Sequence, residues 1–553
     1  MTLFALATTA LCFLPAPQGP GGLAAMVNDP NSHGAVGDTL LSLDEAIQVA
    51  NGTLATTALS AAEQAQIAGA GNAVTDIIVN PAMVPTITLQ APLTDLVGPG
   101  AAAGGLTVHG MAMGGMQRTV IQAGSASHTF ALREHHVTVM GFRVVGGQTA
   151  FDAVLPALSG PMTMARIMNC ELDGQTGAGI TLRASGTAET LVMTMRTRLT
   201  NMPVGFRIDD QSAGGRVMGE CEFVEFDGVN LGCDVVENGS GNLSMWMIFR
   251  STFVNGQTLA RKRRGATSSQ AFMFRFTHMT ATCTGDVVDV EGGPNGLTMI
   301  HHHTSDWVAG AGMHAFWVHP RTALFDVHGS EMRFVGDVEV AGNPFTQRVW
   351  QQNNDYSNGT VSYDVDGALP NLLWNRYHNC SLVVPSSASS PVVVRQSEFT
   401  NTTVNGQSAF AGITLDDCYR SGGAVMGNSN ETSPAPRVFL GTTTIAPLDP
   451  QIGSSIDLTA DLPQGVGMIW IAGFAYARPT TTIEPVRFYG DPSTAVVFPG
   501  IAFYHTTTSV PIPSLTELVG LEFYFQGVSV PLPAYSWMPA YHLPRGELVR
   551  PRM

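Results

Sequence analysis

The chain has 553 residues, a formal net charge of −16 and 13% charged residues, which is about half the charged share usual in soluble proteins. Disordered chains combine high charge with low hydrophobicity, whereas 44% of these residues are hydrophobic. The acidic balance also argues against a basic nucleic-acid-binding surface, so we expect no nucleic-acid partner.

The chain begins with an almost apolar run from Leu3 to Leu14, followed by a proline-rich segment. The run is too short to span a membrane and is typical of a signal-peptide core. We therefore expect residues 1–25 to be a signal peptide and the protein to be secreted or displayed at the cell surface. The alternative is a buried first strand. No later run reaches the roughly 18 apolar residues of a spanning helix, so we expect no transmembrane anchor.

A short amphipathic helix is predicted from Leu43 to Ala50. Ser42 stands at its N-cap position and Glu45 follows three residues later, which is the spacing of a capping box. Because the open end of a solenoid needs a cover, this helix is expected to cap the first coils within residues 26–105.

A three-residue pattern recurs through the middle of the chain: a small or polar residue, any residue, and a large apolar anchor. The anchors from Leu172 to Leu382 are mostly 24 to 30 residues apart. The anchors are Leu172, Leu199, Phe223, Phe253, Met279, Met332, Tyr356, Leu382, Phe399 and Tyr419. His303-Thr304-Ser305 fills the expected slot between Met279 and Met332. Short β-branched runs with Gly and Asn turns at this period predict stacked β-coils.

The columns of this repeat predict which side chains point inward. The anchor and the residue two positions before it have the same strand parity and should face the core. The residue five positions before the anchor is also apolar, so a corner must lie three to four positions before the anchor. Each coil is therefore predicted to contain two strands that meet at a bend.

The segments Ser42-Leu43-Asp44-Glu45-Ala46-Ile47 and Val137-Thr138-Val139-Met140-Gly141-Phe142 carry a family resemblance. With the repeat, they resemble right-handed parallel β-helix proteins, the fold of pectate lyases and of many secreted bacterial surface proteins. Asp44 stands where that family usually has arginine. The resemblance covers roughly residues 30–430 and implies an all-β chain, a right-handed parallel β-helix solenoid of about 11–13 coils. The helix itself is expected to occupy residues 106–430.

The C-terminal part changes in composition. Residues 431–450 are rich in Pro and Thr and are predicted to be a linker. Residues 451–553 contain short apolar runs at Met468–Phe474, Val496–Tyr504 and Leu518–Phe525, which predict a β-sandwich-like module. Attachment or self-association is one expected role of this module, and an end cap for the solenoid is the other.

The cysteines are predicted to be free thiols. Cys170 and Cys221 fall in one inward column two coils apart, which is roughly 10 Å and too far for a disulfide. Together with Cys380 they are expected to be small buried residues of a polar ladder.

The acidic residues do not identify a catalytic site. Asp209-Asp210 and Asp416-Asp417 are adjacent pairs, and neighbouring residues of a strand point to opposite faces. The catalytic residues are therefore left unknown, and the pattern favours a non-catalytic protein.

A stripe of donors at the predicted corner is the candidate ligand site. Counted four positions before the anchors, its members are Arg275, His301, His328, Gln352, His378 and Arg395. Arginine suits carboxylates and neutral histidine suits hydroxyl groups, so the stripe predicts an anionic or hydroxylated polysaccharide ligand. Trp307, with Trp317 and Trp350, lies in the same coils and would offer stacking faces. The alternative is a solvated polar corner without a ligand.

No cofactor and no metal site is predicted. In His301-His302-His303 the first two residues are placed at the corner and the third in the core, so the three cannot chelate one ion together. His301 and His328 remain weak metal candidates, because no third ligand is evident. The basic run Arg261-Lys262-Arg263-Arg264, which holds the one lysine of the chain, is expected to be an exposed loop.

These observations favour a secreted or cell-surface β-helix with a structural or adhesive role, and self-assembly is one form that this role could take. The alternatives are a polysaccharide-binding protein and a polysaccharide lyase or glycoside hydrolase that acts on acidic glycans. A cluster of acids with arginine on the outer face of adjacent coils would favour the enzyme.

Overall fold

The structure is a computed structural model. It describes residues 22–100, 104–110, 117–158, 163–263, 271–291, 297–319, 324–330, 332–342, 348–352, 354–366, 370–373, 375–395, 397–416, 418–432 and 442–447, together with separate stretches between 450 and 551. The expected signal-peptide core lies outside the described residues.

The predicted helix forms at Leu43–Ala50, and a second helix (Ala61–Gln64) and a short 3-10 helix (Thr56–Ala58) follow it. Ser42 Oγ accepts the backbone N–H of Glu45, whose carboxylate accepts the N–H of Ser42, so the predicted capping box is present. Within the described residues, no helix is long and apolar enough to cross a membrane. The role of the first helix as an end cap stays a prediction.

The chain divides into two compact units. Unit 1 contains residues 1–299 and 308–325, and unit 2 contains residues 300–307 and 326–553. The chain passes between the units within the strands Leu297–His303, Asp306–Val308 and Leu324–Ser330. In each unit the solenoid strands belong to two kinds of sheet, which we call sheet A and sheet B.

The strands of unit 1 run mostly parallel. Those of sheet A are Leu23–Val27, Ile67–Gly69, Val74–Val79, Leu106–His109, Val137–Met140, Ala165–Met168, Glu189–Met195, Arg216–Glu222, Ser244–Phe249 and Phe272–Thr277. Those of sheet B are Thr86–Thr88, Thr119–Gly124, Phe130–Leu132, Phe142–Gly146, Thr149–Ala153, Glu171–Asp173, Ala178–Gly186, Arg198–Ser212, Glu225–Glu237, Thr252–Gly256, Thr258–Arg263, Thr280–Cys283, Val288–Val290 and His314–Val318.

Unit 2 repeats this arrangement. Its sheet A strands are Arg348–Gln352, Asn371–Leu373, Val392–Arg395, Ile413–Asp416 and Ser429–Glu431. Its sheet B strands are Arg333–Val335, Asp337–Ala341, Asp355–Ser357, Thr360–Asp364, Arg376–His378, Ser381–Val384, Glu398–Thr400, Thr403–Gly406, Tyr419–Ser421 and Val425–Gly427. Each strand pairs in parallel with its equivalent in the next coil, so the predicted parallel β-helix is confirmed.

A coil contains three strands, not the predicted two. Ala165–Met168 of sheet A is followed by Glu171–Asp173 and Ala178–Gly186, which both belong to sheet B. A corner is present between the first two of these strands, at Asn169 and Cys170, one residue later than the predicted Met168 and Asn169. The inward residues Phe206, Cys233 and Ala260 of the third strand each lie seven residues after a ladder residue, a column that the three-residue pattern does not include.

The anchors of unit 1 form a regular inward ladder. Leu172, Leu199, Phe226 and Phe253 pair in register at intervals of 27 residues and are fully buried. The predicted anchor Phe223 is wrong, since this residue is 41% exposed. Its backbone has φ 54°, the left-handed conformation, because it stands at the corner before the strand.

The corner between sheet A and sheet B repeats one backbone conformation. In unit 1 the left-handed residues are Asn169, Arg196, Phe223, Arg250 and His278. The small polar residue that follows accepts a hydrogen bond from the preceding coil: Ser251 Oγ accepts the N–H of Val224 at 2.9 Å. The predicted inward column of small polar residues is therefore present at Thr197 and Ser251, where it satisfies corner amides.

The core of unit 2 contains a stack of aromatic rings. Phe334, Tyr356, Tyr377 and Phe399 come from successive coils, and their ring centroids are 5.2, 4.9 and 4.7 Å apart with interplanar angles of 16°, 9° and 6°. Parallel register places each ring over the next one, so the stack fills the interior without a gap. Leu382 is also buried, but it pairs with Val361 on the following strand of the coil.

The predicted free cysteines are confirmed for Cys170, Cys221 and Cys380, which are buried and form no disulfide. Burial raises the pKa of the Cys170 thiol to about 11. The geometric reason given from the sequence is wrong, however. Cys170 lies at the corner before sheet B, whereas Cys221 lies in a sheet A strand, so the two do not share a column.

The C-terminal part of unit 2 contains antiparallel strands. They are Thr442–Ala446, Ser455–Asp461, Val466–Phe474, Thr481–Ile483, Val486–Phe488, Val496–Val497, Ala502–Phe503, His505–Pro511, Phe523–Pro531 and Glu547–Val549. Ile456, Leu458, Trp470 and Phe525 belong to a local apolar core. The predicted strand at Leu518–Phe525 begins at Phe523 instead. The β-sandwich assignment and the domain boundaries stay predictions.

Replacing Tyr377 by alanine should lower the free energy of unfolding by about 3–5 kcal/mol, because it leaves a cavity between two stacked rings. Chemical unfolding followed by tryptophan fluorescence measures the change. Tyr377→Phe keeps the ring and should remain close to the parent protein. Equal stability of the alanine and phenylalanine variants would contradict this account of the core.

Candidate functional site

One outward column of sheet B in unit 1 carries a row of charged and polar side chains. Its members pair in register in seven successive strands and are Asp152, Thr181, Arg207, Asp234, Arg261, Asp289 and Trp317. We call this set the acid–arginine row. At the spacing of neighbouring strands the row is about 29 Å long.

The acids of the row are neutralised by arginines. Arg261 Nε donates to Asp234 Oδ1 at 2.9 Å, and Arg263 Nη2 lies 2.9 Å from Asp289 Oδ2. Asp152 Oδ2 accepts from Arg133 and Arg183 at 2.9 and 2.6 Å. Opposite charges in adjacent coils attract each other, so the row is stable at a spacing where like charges would repel.

Arg207 differs from the other arginines of the row. Its side chain is exposed, and no residue in the described part of the chain forms an ion pair with it. It lies between Thr181 of one neighbouring strand and Asp234 of the other. A guanidinium in this position can donate hydrogen bonds to a ligand that lies along the row.

The row ends at a group of stacked rings. Trp317 stacks on His314 and His319 with ring centroids 4.6 and 4.0 Å away. Each imidazole contacts a carboxylate: His314 Nδ1 lies 3.0 Å from Asp286 Oδ1, and His319 Nε2 lies 2.6 Å from Asp289 Oδ1. These contacts hold the rings in place at the end of the row.

Asp286 is kept in its charged form at this end. Burial by itself raises its pKa, but hydrogen bonds from the His314 side chain and backbone outweigh burial and hold the pKa of Asp286 below its ordinary value. A general acid needs the opposite shift, because it must carry a proton near neutral pH. Asp286 is therefore charged near neutral pH and is not suited to donate a proton there.

A shallow groove of about 310 Å³ lies on the neighbouring strands of sheet B in unit 1. Its lining residues are Arg143, Glu171, Asp173, Arg198, Thr200, Asn201 and Asp227. Arg198 Nη2 donates to Asp227 Oδ2 at 2.9 Å, and a hydrogen bond from Asn255 lowers the pKa of Asp227. The groove therefore repeats the pairing of acids with arginines seen in the acid–arginine row.

The predicted donor stripe does not form one column. His301 and His328 stack with ring centroids 4.9 Å apart, but His328 then pairs in register with Trp350. Gln352 and Arg395 belong to another column, each pairing with Leu373. The reason is that Met332 lies at the corner, two residues before the true ladder residue Phe334, so counting back from it shifts the column.

Other members of the stripe are misplaced as well. Trp307 is fully buried and Gln352 is 4% exposed, so neither offers a surface to a ligand. His378 is exposed but lies in sheet B, at the end of Arg376–His378. Arg275 is exposed in unit 1, with its guanidinium 5.6 Å from the ring centre of Phe249.

The three consecutive histidines alternate across their strand. His302 points into the core, where burial lowers its pKa to about 3 and Gln351 contacts its ring. His303 is half-buried, and its Nδ1 lies 2.7 Å from Ser330 Oγ. The assignment of His302 to the corner and His303 to the core is therefore wrong, because it rested on the same shifted column.

The basic run is part of a strand, Thr258–Arg263, and is not an exposed loop. Arg261 and Arg263 point outward into the acid–arginine row, and Lys262 points inward. Lys262 Nζ lies 3.0 Å from Glu237 Oε2, with side-chain exposures of 2% and 1%. Arg264 lies outside the described residues.

Asp209 and Asp210 lie on opposite faces of their strand, as the alternation of strand side chains predicted. Asp210 is fully buried and contacts Ser244 Oγ, whereas Asp209 is half-buried on the other face and accepts from Gln211 at 2.7 Å. Asp416 is exposed, and Asp417 lies outside the described residues. Asp209 and Asp210 therefore do not form a two-carboxylate site.

The acid–arginine row was missed because its members are not separated by a constant number of residues. The signal that could have identified it is the alternation in Arg261-Lys262-Arg263, where the outer residues share one strand face. Charges placed 27 or 28 residues apart with opposite sign are a second signal, as for Asp234, Arg261 and Asp289.

No protein-family model matches the chain. No curated protein matches it either. Among solved structures, the chain is similar to a mutant of the tailspike protein of E. coli bacteriophage HK620 in complex with a pentasaccharide. The two share 11% sequence identity with a TM-score of 0.30, and the match covers 79% of each chain. The fold assignment therefore depends on the strand register described above.

Replacing Lys262 by methionine should lower the free energy of unfolding by about 3–5 kcal/mol, because it leaves the Glu237 carboxylate buried without its cation. The double variant Lys262→Met, Glu237→Gln removes both charges and should recover most of that loss. Urea unfolding of the two variants and the parent measures both effects. A single variant as stable as the parent would contradict the buried pair.

Proposed function

We propose that this protein binds polysaccharide through the acid–arginine row of unit 1. The observation that supports this most is Arg207, an exposed guanidinium within a column of neutralised acids and arginines. Asp152, Asp234 and Asp289 are only 6%, 7% and 5% exposed, so the positions that a ligand can reach along about 29 Å are Thr181, Arg207, Arg261 and the arginine partners of the buried acids. An extended polymer with repeated hydroxyl groups can contact several of these positions at once, whereas a compact small molecule contacts few.

The chemistry of the row suits sugar groups. Guanidinium groups donate to ring and hydroxyl oxygens, and the buried carboxylates hold their arginine partners in place for such contacts. Arg207 would bind a sugar carboxylate or sulfate in a fork, which suits an acidic glycan. The proposed polysaccharide site is therefore the acid–arginine row and not the donor stripe that the sequence predicted.

Binding without cleavage is favoured over lyase or hydrolase activity. The acids of the row lie in contact with arginines or histidines, and the pKa of Asp286 is lowered. An inverting hydrolase needs one carboxylic acid that carries a proton, and such an acid requires surroundings that raise its pKa. The acids and arginines of adjacent coils, expected of an enzyme, serve here as a binding surface.

The proposal includes a structural or adhesive role outside the cell. A secreted protein that binds glycan without turnover would attach to a polysaccharide surface. The C-terminal module would contribute attachment or self-association. The mature protein, without its signal peptide, would then present its acid–arginine row to a cell-surface or matrix glycan.

A glycan array containing neutral, uronic and sulfated polysaccharides tests the proposal, followed by titration calorimetry with the best ligand. Arg207→Ala should weaken binding roughly tenfold or more, since it removes a charge-assisted hydrogen bond. Arg207→Lys keeps the charge but loses the fork, so its affinity should fall between those of the parent and the alanine variant.

Arg166→Ala is the matched control, because Arg166 is an exposed arginine of sheet A in the same unit. This variant should bind as the parent does. An array without any bound glycan, or an Arg207→Ala variant that binds like Arg166→Ala, would overturn the proposal. Release of unsaturated or reducing sugar ends from the bound glycan would instead identify an enzyme.

A further inference from the structure

Three potential metal ligands meet on the outward face of sheet A in unit 2. His301 belongs to the strand Leu297–His303, and Asp326 and His328 belong to the strand Leu324–Ser330. Asp326 and His328 are two residues apart on one strand, so their side chains lie on the same face. Val327 between them is buried in the core and fixes that orientation.

The ligand atoms of these residues are close together. One nitrogen or oxygen from each of the three side chains lies within 4.8 Å of the others. His328 Nε2 is 3.0 Å from Asp326 Oδ1, and the rings of His301 and His328 are 4.9 Å apart at an angle of 27°. Ligands of a tetrahedral zinc ion lie about 3.4 Å apart, so small side-chain rotations would bring all three onto one ion.

We propose that His301, Asp326 and His328 form a binding site for a divalent transition-metal ion of the zinc class. The proposal is independent of the glycan-binding row, which belongs to unit 1. The sequence analysis named His301 and His328 as weak metal candidates because it found no third ligand. Asp326 is that ligand, and the coil register is what brings it to His301.

The chemistry of the ligands selects the class of ion. Two imidazole nitrogens and one carboxylate oxygen suit zinc and its neighbours, whereas calcium and magnesium prefer sites made of oxygen. Three protein ligands also leave a coordination position for water or an external ligand. Structural zinc sites usually have four protein ligands, so this site is of the open kind.

The surroundings hold the ligands in place. Trp350 follows His328 in the next strand, and its ring meets the imidazole edge-on with centroids 5.2 Å apart. The side chains of Asp326 and His328 are each 18% exposed, so an ion can enter from solvent while the ligands keep little freedom. The neighbours His302 and His303 are directed to Gln351 and Ser330, which leaves His301 as the ligand from its strand.

Calorimetric titration of the chelator-treated full chain with ZnCl₂ tests the site. We expect the parent to bind a single high-affinity Zn²⁺ ion per chain. The variants His301→Ala, Asp326→Asn and His328→Ala should each weaken zinc binding by roughly tenfold or more, because each removes a direct ligand. Titration with CoCl₂ should give the intense visible absorption of a four-coordinate cobalt ion, and the variants should lose it.

His378→Ala is the matched control, since His378 is an exposed histidine of the same unit outside the cluster. It should bind zinc as the parent does. Asp326→Asn keeps the shape of the side chain, and its circular dichroism and thermal midpoint show that the fold is retained. A parent without stoichiometric zinc binding would overturn the proposal, as would folded ligand variants that bind zinc as tightly as His378→Ala.

Discussion

The constraint on which the rest of the structure depends is the parallel register between coils. Each strand lies beside the equivalent strand of the next coil, at the spacing of about 4.8 Å that backbone hydrogen bonding imposes. The side chains of one column are therefore repeated at that spacing. Apolar columns become ladders such as Leu172, Leu199 and Phe226, and aromatic columns become the stack that contains Tyr356 and Tyr377. The interior fills because side chains of similar size occupy successive rungs.

The same register determines which charges the surface can carry. A column of like charges would repel at this spacing, and opposite charges are neighbours in several outward columns of this protein. Arg143, Glu171, Arg198 and Glu225 are successive rungs of one column, and Asp234, Arg261 and Asp289 are rungs of another. Pairing with acids of neighbouring coils holds arginines in place along the outer surface, and these ordered guanidinium groups are the feature on which the glycan-binding proposal depends.

Much of the fold could be predicted from the sequence because the repeat is long and its core residues are large. The helix Leu43–Ala50, its capping box and the parallel β-helix were all predicted correctly. The column assignment failed where a corner residue resembles a core residue. Phe223 is large and apolar but stands at a left-handed corner, and Met332 lies two residues before Phe334. An error of two or three residues in one anchor leaves the fold unchanged but moves the outward side chain counted from that anchor to another column. The candidate stripe was lost for this reason, while the contact between His301 and His328 survived because both were shifted equally.

The choice of arginine over lysine follows from the same geometry. A carboxylate one coil away lies at a fixed distance and angle, and the planar guanidinium fork can match it with two hydrogen bonds. Arg376 does so with Asp355 of the preceding coil, through contacts of 2.5 and 2.6 Å. Lys262, the one lysine of the chain, instead points inward to Glu237, where a single ammonium group meets a single carboxylate in a narrow space. A flexible ammonium group on the outer face would match the ladder less well and would cost more side-chain entropy to fix in place. The outward cations of this solenoid are therefore arginines because the ladder selects for a rigid, planar donor.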